Sequence, residues 1–325
     1  MKPSKTPKSQ FTIAVILLVL AASNAAAQAY PSRPIRLVVP FPPGGTSEVI
    51  ARPIAQRLTE QMGQSVVIDN RPGATGTIGA GIVAKAQPDG YTLLLGTTNE
   101  MCMSPGLYAK LPYDPIKDFS PITNIIRFHN VLVVQPSLSA GSVNELIALG
   151  RTRRLAFSSS GSGSHNHLSA ELFKSVAHID INHVPYKGGG PAMVAVMAGE
   201  VQAMFAPIPP AIGLIKAGKL KPMFITSHKR SAALADVMSA DEAGMPTVIV
   251  VTWNGVFAPA RTPEAILDRL NGEIVKAANI PDLKEKMDAQ AVEMATTSRA
   301  EFAAIVREDC DKWMRVVKQA GIRAD

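Results

Sequence analysis

From residue 35 onward the chain alternates short β-branched runs with stretches of helical period, and this alternation restricts it to one broad architecture. Runs at 35–39, 66–68, 92–95, 131–134, 155–157, 203–205 and 223–225 read as strands. Stretches at about 46–61, 77–86, 142–150, 166–177, 191–199 and 208–217 carry the apolar spacing of helices. Strand followed by helix, repeated, places helices over parallel sheets, so the pattern predicts an α/β fold. After Pro263 the character changes to helices at about 263–278, 281–289 and 299–320, which predict a helical cover. In the last of these, Phe302, Ile305, Val306, Trp313, Val316 and Val317 recur near helical spacing and predict a buried face.

The first residues read as an export address. Lys2, Lys5 and Lys8 precede an apolar run at 11–22, and Ala27-Gln28-Ala29 fits an A-x-A cleavage site before Tyr30. The run falls short of the ~20 apolar residues that a spanning helix needs. Residues 1–29 are therefore predicted to be a cleavable signal peptide, which leaves 296 of the 325 residues. At ~100–200 residues per domain that length suggests two domains. No repeat or low-complexity linker separates them, so the chain is expected to cross between them more than once, near 129–135 and 248–257. The formal charge of +7 includes the three leader lysines and no leader acids, leaving +4. A small, scattered excess argues against a nucleic-acid surface and suits anionic solutes. Cys102 and Cys310 are the two cysteines. They form neither a disulfide framework nor a cysteine-rich metal site, and sequence leaves their pairing open.

One local chemistry occurs four times: a strand ends, glycine and hydroxyl residues follow, and a helix begins. The segments are Phe41-Pro42-Pro43-Gly44-Gly45-Thr46-Ser47, Pro72-Gly73-Ala74-Thr75-Gly76-Thr77, Ser158-Ser159-Ser160-Gly161-Ser162-Gly163-Ser164 and Tyr186-Lys187-Gly188-Gly189-Gly190-Pro191. The first turn of a helix has unpaired N–H groups and the positive end of the dipole, so it favours an anion. Thr46, Ser47, Thr77 and Ser164 are expected to cap these helices or to offer a hydroxyl, and Pro191 suits a first helical position. Any one such loop is ordinary in an α/β protein. Four of them, two early and two central, predict a cleft that holds a carboxylate from both sides. None matches a nucleotide-binding motif; Gly73, Gly76 and Gly79 are spaced G-x-x-G-x-x-G.

Ser160 or Ser162 beside His165 and His167 raises a hydrolase reading, but the stretch lacks G-x-S-x-G, and residues this close in sequence rarely form a triad. The two histidines could be half of a metal site, yet no carboxylate cluster or cysteine completes it. Helix capping or solvent exposure is the expectation for both. Glu48 and Arg52, at i and i+4, predict a helix ion pair worth a few tenths of a kcal/mol. Lys187 beside three glycines is placed either near an anion or in solvent. No cofactor is expected.

Pro40-Phe41-Pro42-Pro43-Gly44-Gly45, Asn70-Arg71-Pro72-Gly73-Ala74, Pro88-Asp89-Gly90-Tyr91, Tyr113-Asp114-Pro115 with Asp118-Phe119-Ser120-Pro121, and His183-Val184-Pro185-Tyr186-Lys187-Gly188 are the segments that carry a family likeness. Trp253-Asn254-Gly255 and the Trp313 region add to it. On these segments the chain resembles the Bug solute receptors, the binding components of tripartite tricarboxylate transporters, across residues 30–323. The resemblance implies a periplasmic binding fold of type II, two α/β lobes closing on a ligand cleft, and no catalysis. Lobe 1 is expected to comprise 30–131 plus 252–325, and lobe 2 to comprise 132–251.

By the same resemblance, ligand contacts would come from Phe41, Pro42, Gly44, Gly45, Thr46 and Ser47, from Ala74 and Thr75, and from Thr97 and Asn99. Ser160, Gly161, Ser162 and Ser164 follow, then Tyr186, Lys187, Gly188 and Gly189, with carbonyls near Phe41 and Pro42 holding bridging waters. The implied partners are a small di-, tri- or aromatic carboxylate and the membrane components of the transporter, or alternatively a sensor protein; a monomer is expected. Glu48 stands where the family usually has Asp, Pro53 falls within a helix that is normally unbroken, and Gln202 and Ala206 replace positions that are often Asp. If Ala206 lines the cleft, the lost carboxylate turns the preference away from amino acids.

Overall fold

The computed structural model describes residues 30–323; the expected signal peptide lies outside the described residues. Three parallel strands open the chain, β1 (Ile35–Val39), β2 (Val66–Asn70) and β3 (Thr92–Thr97), connected through α1 (Thr46–Met62) and α2 (Thr77–Ala84). A one-turn π-helical segment (Asn99–Met103) and α3 (Ser104–Leu107) lead to the 16-residue strand β4 (Phe119–Val134). Then come α4 (Val143–Thr152), β5 (Leu155–Ser159), α5 (His165–Ala177), β6 (Ile181–Pro185), α6 (Gly189–Ala198), β7 (Ala203–Pro207), α7 (Ile208–Lys216) and β8 (Lys221–Ile225). The chain returns on β9 (Val251–Pro259) and finishes with α8 (Glu264–Ala278), α9 (Pro281–Asp288), the two-residue β10 (Glu293–Met294) and α10 (Arg299–Ala320).

The predicted strand–helix alternation is present, but the expectation of wholly parallel sheets is corrected. The strand order is β2-β1-β3-β9-β4-β7-β5-β6, and β9 runs antiparallel to both β3 and β4 while β4 runs antiparallel to β7. The reason is topological: β4 and β9 carry the chain out of one half of the structure and back into it, in opposite directions. β4 pairs with β9 from Phe119 to His129, then with β7 from Asn130 to Val134. The sequence marked only the end of β4, because Arg127, His129 and Asn130 interrupt its apolar pattern.

At the changeover the Asn130 N–H donates to Thr226 Oγ1 at 3.0 Å, the Thr226 N–H donates to Asn130 O at 2.8 Å, and the Val250 N–H donates to Thr226 O at 3.2 Å. These bonds tie together the two segments that cross. Each half buries an apolar cluster on either face of its own strands. α10 lies along the first half with Phe302, Val306, Trp313 and Val317 fully buried, as its spacing predicts. It begins with a capping box in which Ser298 and Glu301 satisfy each other's N–H groups. Trp253 packs edge-on against Phe302 and donates its indole N–H to Asp309 at 2.6 Å. Gly255 is required at this packing: a methyl built there would lie 2.2 Å from the Phe302 ring.

The two cysteines meet. Cys102 in the π-helical segment and Cys310 in α10 form a disulfide with Cα atoms 4.1 Å apart, across 208 residues of sequence. Pro53 sits within α1, which continues through it as one 17-residue helix.

Candidate functional site

The carboxyl ends of β1, β2 and β3 share one edge of the first half, and those of β5 and β6 share the facing edge of the second. In open α/β sheets ligands bind outside such strand ends. All four glycine-hydroxyl loops leave from these ends, and the third touches both the second and the fourth: Thr75 Oγ1 donates to Ser162 O at 3.4 Å, the Tyr186 N–H donates to Ser159 O at 3.0 Å, and a methyl on Gly161 would lie 3.8 Å from Thr75 Oγ1 and 3.9 Å from Tyr186 O. The loops that the sequence grouped by chemistry are thus grouped in space.

They are not equivalent. In the first loop, Gly45 is the N-cap of α1, and no described residue accepts a hydrogen bond from the N–H groups of Gly45, Thr46 or Ser47. In the fourth loop Gly188 is the N-cap of α6, and the Gly189 and Gly190 N–H groups are likewise open among the described residues. Both starts are solvent-facing at Pro42–Gly45 and Gly190, with Lys187 exposed beside the second. An open pair of helix starts, one from each half, is the arrangement that can hold an anion by backbone donors.

The third loop is closed on itself. The Gly161 N–H donates to Ser159 Oγ at 3.2 Å, the Gly163 N–H donates to His167 Nδ1 at 2.9 Å, and the His165 N–H donates to Asn99 Oδ1 at 3.0 Å. The Ser164 hydroxyl donates to Gly161 O and the Ser160 hydroxyl donates to Asn166, which in turn donates to Phe205 O. The N–H groups of Gly161, Gly163, Ser164 and His165 are therefore already used, while those of Ser162, Asn166 and His167 find no acceptor among the described residues; Asn166 and His167 are buried, and part-exposed Ser160, Gly161 and Ser162 are what the loop presents.

The second loop holds strain. Ala74 and Thr75 both adopt left-handed φ, 45° and 53°. A β-branched residue there costs of order 1–3 kcal/mol and persists where the surroundings over-determine it, commonly at ligand sites. The Thr75–Ser162 contact is part of that surrounding.

Several expectations change. Thr46, Ser47 and Thr77 lie inside the first turns and do not cap; Ser47 instead accepts from Asn254 Nδ2 at 2.8 Å, and the Thr77 hydroxyl donates to Ala74 O at 3.0 Å. Ser164 occupies an N-cap position without a side-chain capping bond. Pro191 is the third residue of α6, still in the turn where a missing N–H is harmless. His165 and His167 are buried, not solvent-exposed, because α5 packs its start against Asn99 and the ring of Phe128.

The Glu48–Arg52 pair forms, but Glu48 is buried and its other oxygen accepts the Gly44 N–H at 2.5 Å. It pins the first loop as well as pairing on the helix, and Gly44 offers no free donor. Phe41 O accepts from Asn70 Nδ2 at 3.0 Å. Thr97 and Asn99 are buried beneath the loops, Thr97 bound through its N–H and hydroxyl to Glu100. Complete burial pushes the Glu100 carboxyl up to about 8. The Tyr186 hydroxyl donates to Glu200 at 3.3 Å. Ala206 is fully buried in the second half's apolar cluster and presents no surface, and Gln202 accepts the Ala156 N–H at 2.9 Å.

The hydrolase reading finds no geometry at Ser160 or Ser162. The serine–histidine contact in this region is Ser159 with His183, 2.6 Å apart, and Ser159 is fully buried. Among the described residues no cluster of three or more His, Cys, Asp or Glu side chains is poised for a metal, and no helix is long and apolar enough to cross a membrane.

Residues 50–322 match the family described as the tripartite tricarboxylate transporter family receptor. The chain belongs to that family. Among curated relatives, BugT of Bordetella pertussis is 34% identical, the match covering 96% of this chain and 98% of BugT. A protein from Pseudomonas sp. strain P51, encoded in the tcbD-tcbE intergenic region, is 35% identical over 96% of this chain and 95% of its own.

Among solved structures, R. palustris Rpa4515 with adipate superposes with a TM-score of 0.86 at 37% identity, covering 90% of this chain and 99% of that one. MatC from Rhodopseudomonas palustris with bound malate gives 0.81 at 30% identity, covering 89% and 100%. The periplasmic binding protein BugD gives 0.84 at 29% identity, covering 91% and 100%. The family is one of periplasmic solute-binding receptors. The two halves are thus the two lobes of a type II binding fold, and β4 is the strand that pairs in both.

Sequence reasoning missed the residues that hold the loops. Asn70, Asn254, Ser159, Asn166 and His183 act only once a strand end is set against the loop it supports. Asn70, His183 and Asn254 lie in family segments and Ser159 in the third loop, which were the available signals.

Proposed function

We propose that this receptor captures a small di-, tri- or aromatic carboxylate in the periplasm, after removal of residues 1–29, and delivers it to the membrane components of a tripartite tricarboxylate-type transporter. The observation that carries this reading is the pair of open helix starts, Gly45–Ser47 and Gly189–Gly190, one on each lobe. Two carboxylates, or one carboxylate and a water shell, match two positive helix ends facing a common cleft. The side chains add little charge: Glu48 is committed to Arg52 and Gly44, and Lys187 is the exposed cation beside the fourth loop. The adipate and malate bound to the Rhodopseudomonas palustris relatives support this ligand class.

We assign residues 30–131 with 252–325 to lobe 1 and 132–251 to lobe 2, a division supported by the change of β4's partners at Asn130 and the chain's return at Val251. Lobe closure would then bring the fourth loop toward the first.

The test is a melting series of residues 30–325 against adipate, malate, citrate, benzoate and glutamate. A ligand at 100 times its Kd adds ~2.7 kcal/mol if it binds only the folded chain. For a protein of this size that moves Tm by roughly 5 °C or more. A shift with at least one ammonium-free acid, exceeding that with glutamate, is expected. No shift with any acid would contradict the reading.

A further inference from the structure

Behind the third loop two imidazoles are stacked face to face. The rings of His167 on α5 and His183 on β6 lie 3.7 Å apart at 9°, with the ring of Phe157 on β5 beside the pair, 5.1 Å from His183 and 6.2 Å from His167. Each ring holds one end of the loop. His167 Nδ1 accepts the Gly163 N–H at 2.9 Å, so that nitrogen carries no proton. His183 Nε2 meets Ser159 Oγ at 2.6 Å, and the same oxygen accepts the Gly161 N–H and lies 2.9 Å from Gly161 O. The two glycine amides of Ser160–Gly163 therefore hang on a histidine pair.

We propose that His167 and His183 are positioning residues for the third loop, and that proton uptake by the pair loosens this loop and weakens capture of the acid. The second half of the proposal rests on the carboxylate-capture reading. A proton on His167 Nδ1 removes the acceptor of the Gly163 N–H and leaves that buried donor unpaired, which is costly. A second proton would set two like charges face to face at the stacking distance.

The charged groups around the pair are Glu171, whose carboxylate lies 3.7 Å from His167 Nε2, and Lys174, bound to Glu171 at 3.1 Å. Glu171 favours protonation of the rings and Lys174 opposes it. Burial, then the neighbouring His167, hold His183 down to about 4. A histidine held low in the folded chain supports folding while neutral; that support is complete above about pH 6.5 and is lost as the pH falls toward about 4.

The experiment follows the Gly161 and Gly163 amide resonances of the ligand-free receptor from about pH 8 to about pH 3.5, a range that passes through the value near 4 to which His183 is held. His167→Asn serves as the conservative variant, since its side-chain oxygen can take the place of Nδ1 but binds no proton in this range. His183→Gln does the same for Nε2. In the wild type the Gly161 and Gly163 amides should shift together as the pair takes up its proton, and in His167→Asn the Gly163 shift should vanish.

Adipate affinity, measured across the same range, should fall at least about tenfold more in the wild type than in His167→Asn, a comparison in which the acid's own titration cancels. Glycine amides that stay fixed while the rings titrate, or superimposable affinity profiles in the two proteins, would overturn the proposal. Failure of adipate and malate to bind at any pH would overturn the capture half and the reading beneath it, while the glycine amides still decide whether the pair holds the loop.

Discussion

A loss of carboxylate affinity of about 100-fold, with no loss of folding, is the result expected for Gly45→Asn and for Gly189→Leu. At Gly45 a new Cβ would meet only Pro42 O at 3.6 Å, and at Gly189 it would meet nothing within 4 Å. Neither glycine adopts a left-handed φ. Asn is a favoured N-cap residue, so the first change keeps the helix start while its side chain takes up the open N–H groups; Leu in the first turn of α6 improves helix propensity. Free protein should melt within a degree or two of the wild type. Titration calorimetry should show a deficit near 2.7 kcal/mol, the equivalent of 100-fold. Unchanged affinity in both variants would remove the two helix starts from the site.

Removing the disulfide should produce the largest change in stability. Replacing Cys102 and Cys310 together by Ala is expected to lower the unfolding free energy by about 2–5 kcal/mol, the usual range for a native bridge. The physical reason is the loop it closes: 208 residues separate the cysteines, and the entropy withheld from the unfolded chain grows with the logarithm of that number. The bridge also ties α10 to the π-helical segment that carries Asn99 and Glu100, which lie under the second and third loops. Denaturant unfolding of oxidised wild type, reduced wild type and the double variant measures the effect. Identical midpoints for all three would show that the bridge contributes nothing.

The fold was legible in the sequence where local chemistry and global arrangement agree. The strand–helix rhythm, the four glycine loops and the buried stripe of α10 depend on nearest-neighbour spacing, and each appears where it was expected. β4 was only partly legible, because a strand that changes partners at Asn130 has no single apolar face along its length. The antiparallel entry of β9 beside β3 depends on where the chain returns, which spacing does not encode.

The site followed the same division. The helix starts could be named from Gly45 and Gly189, but whether their amides stay open could not. That depends on a side chain elsewhere. His167 and Asn99 take the Gly163 and His165 N–H groups of the third loop, whereas nothing described takes those of Gly45–Ser47 or Gly189–Gly190. Ala206 shows the converse: it was inferred to face a ligand from what relatives carry, and it lies in the apolar core of the second lobe.

The central claim is that an organic acid is held between the lobes by backbone N–H groups at two helix starts. A crystal structure of residues 30–325 with whichever acid raises Tm most tests this directly. The account predicts carboxylate oxygens within ~3.2 Å of N–H groups, or of waters bound to them, at both Gly45–Ser47 and Gly189–Gly190. An acid seated elsewhere, or clasped by arginine and lysine side chains with both helix starts left to solvent, would contradict it.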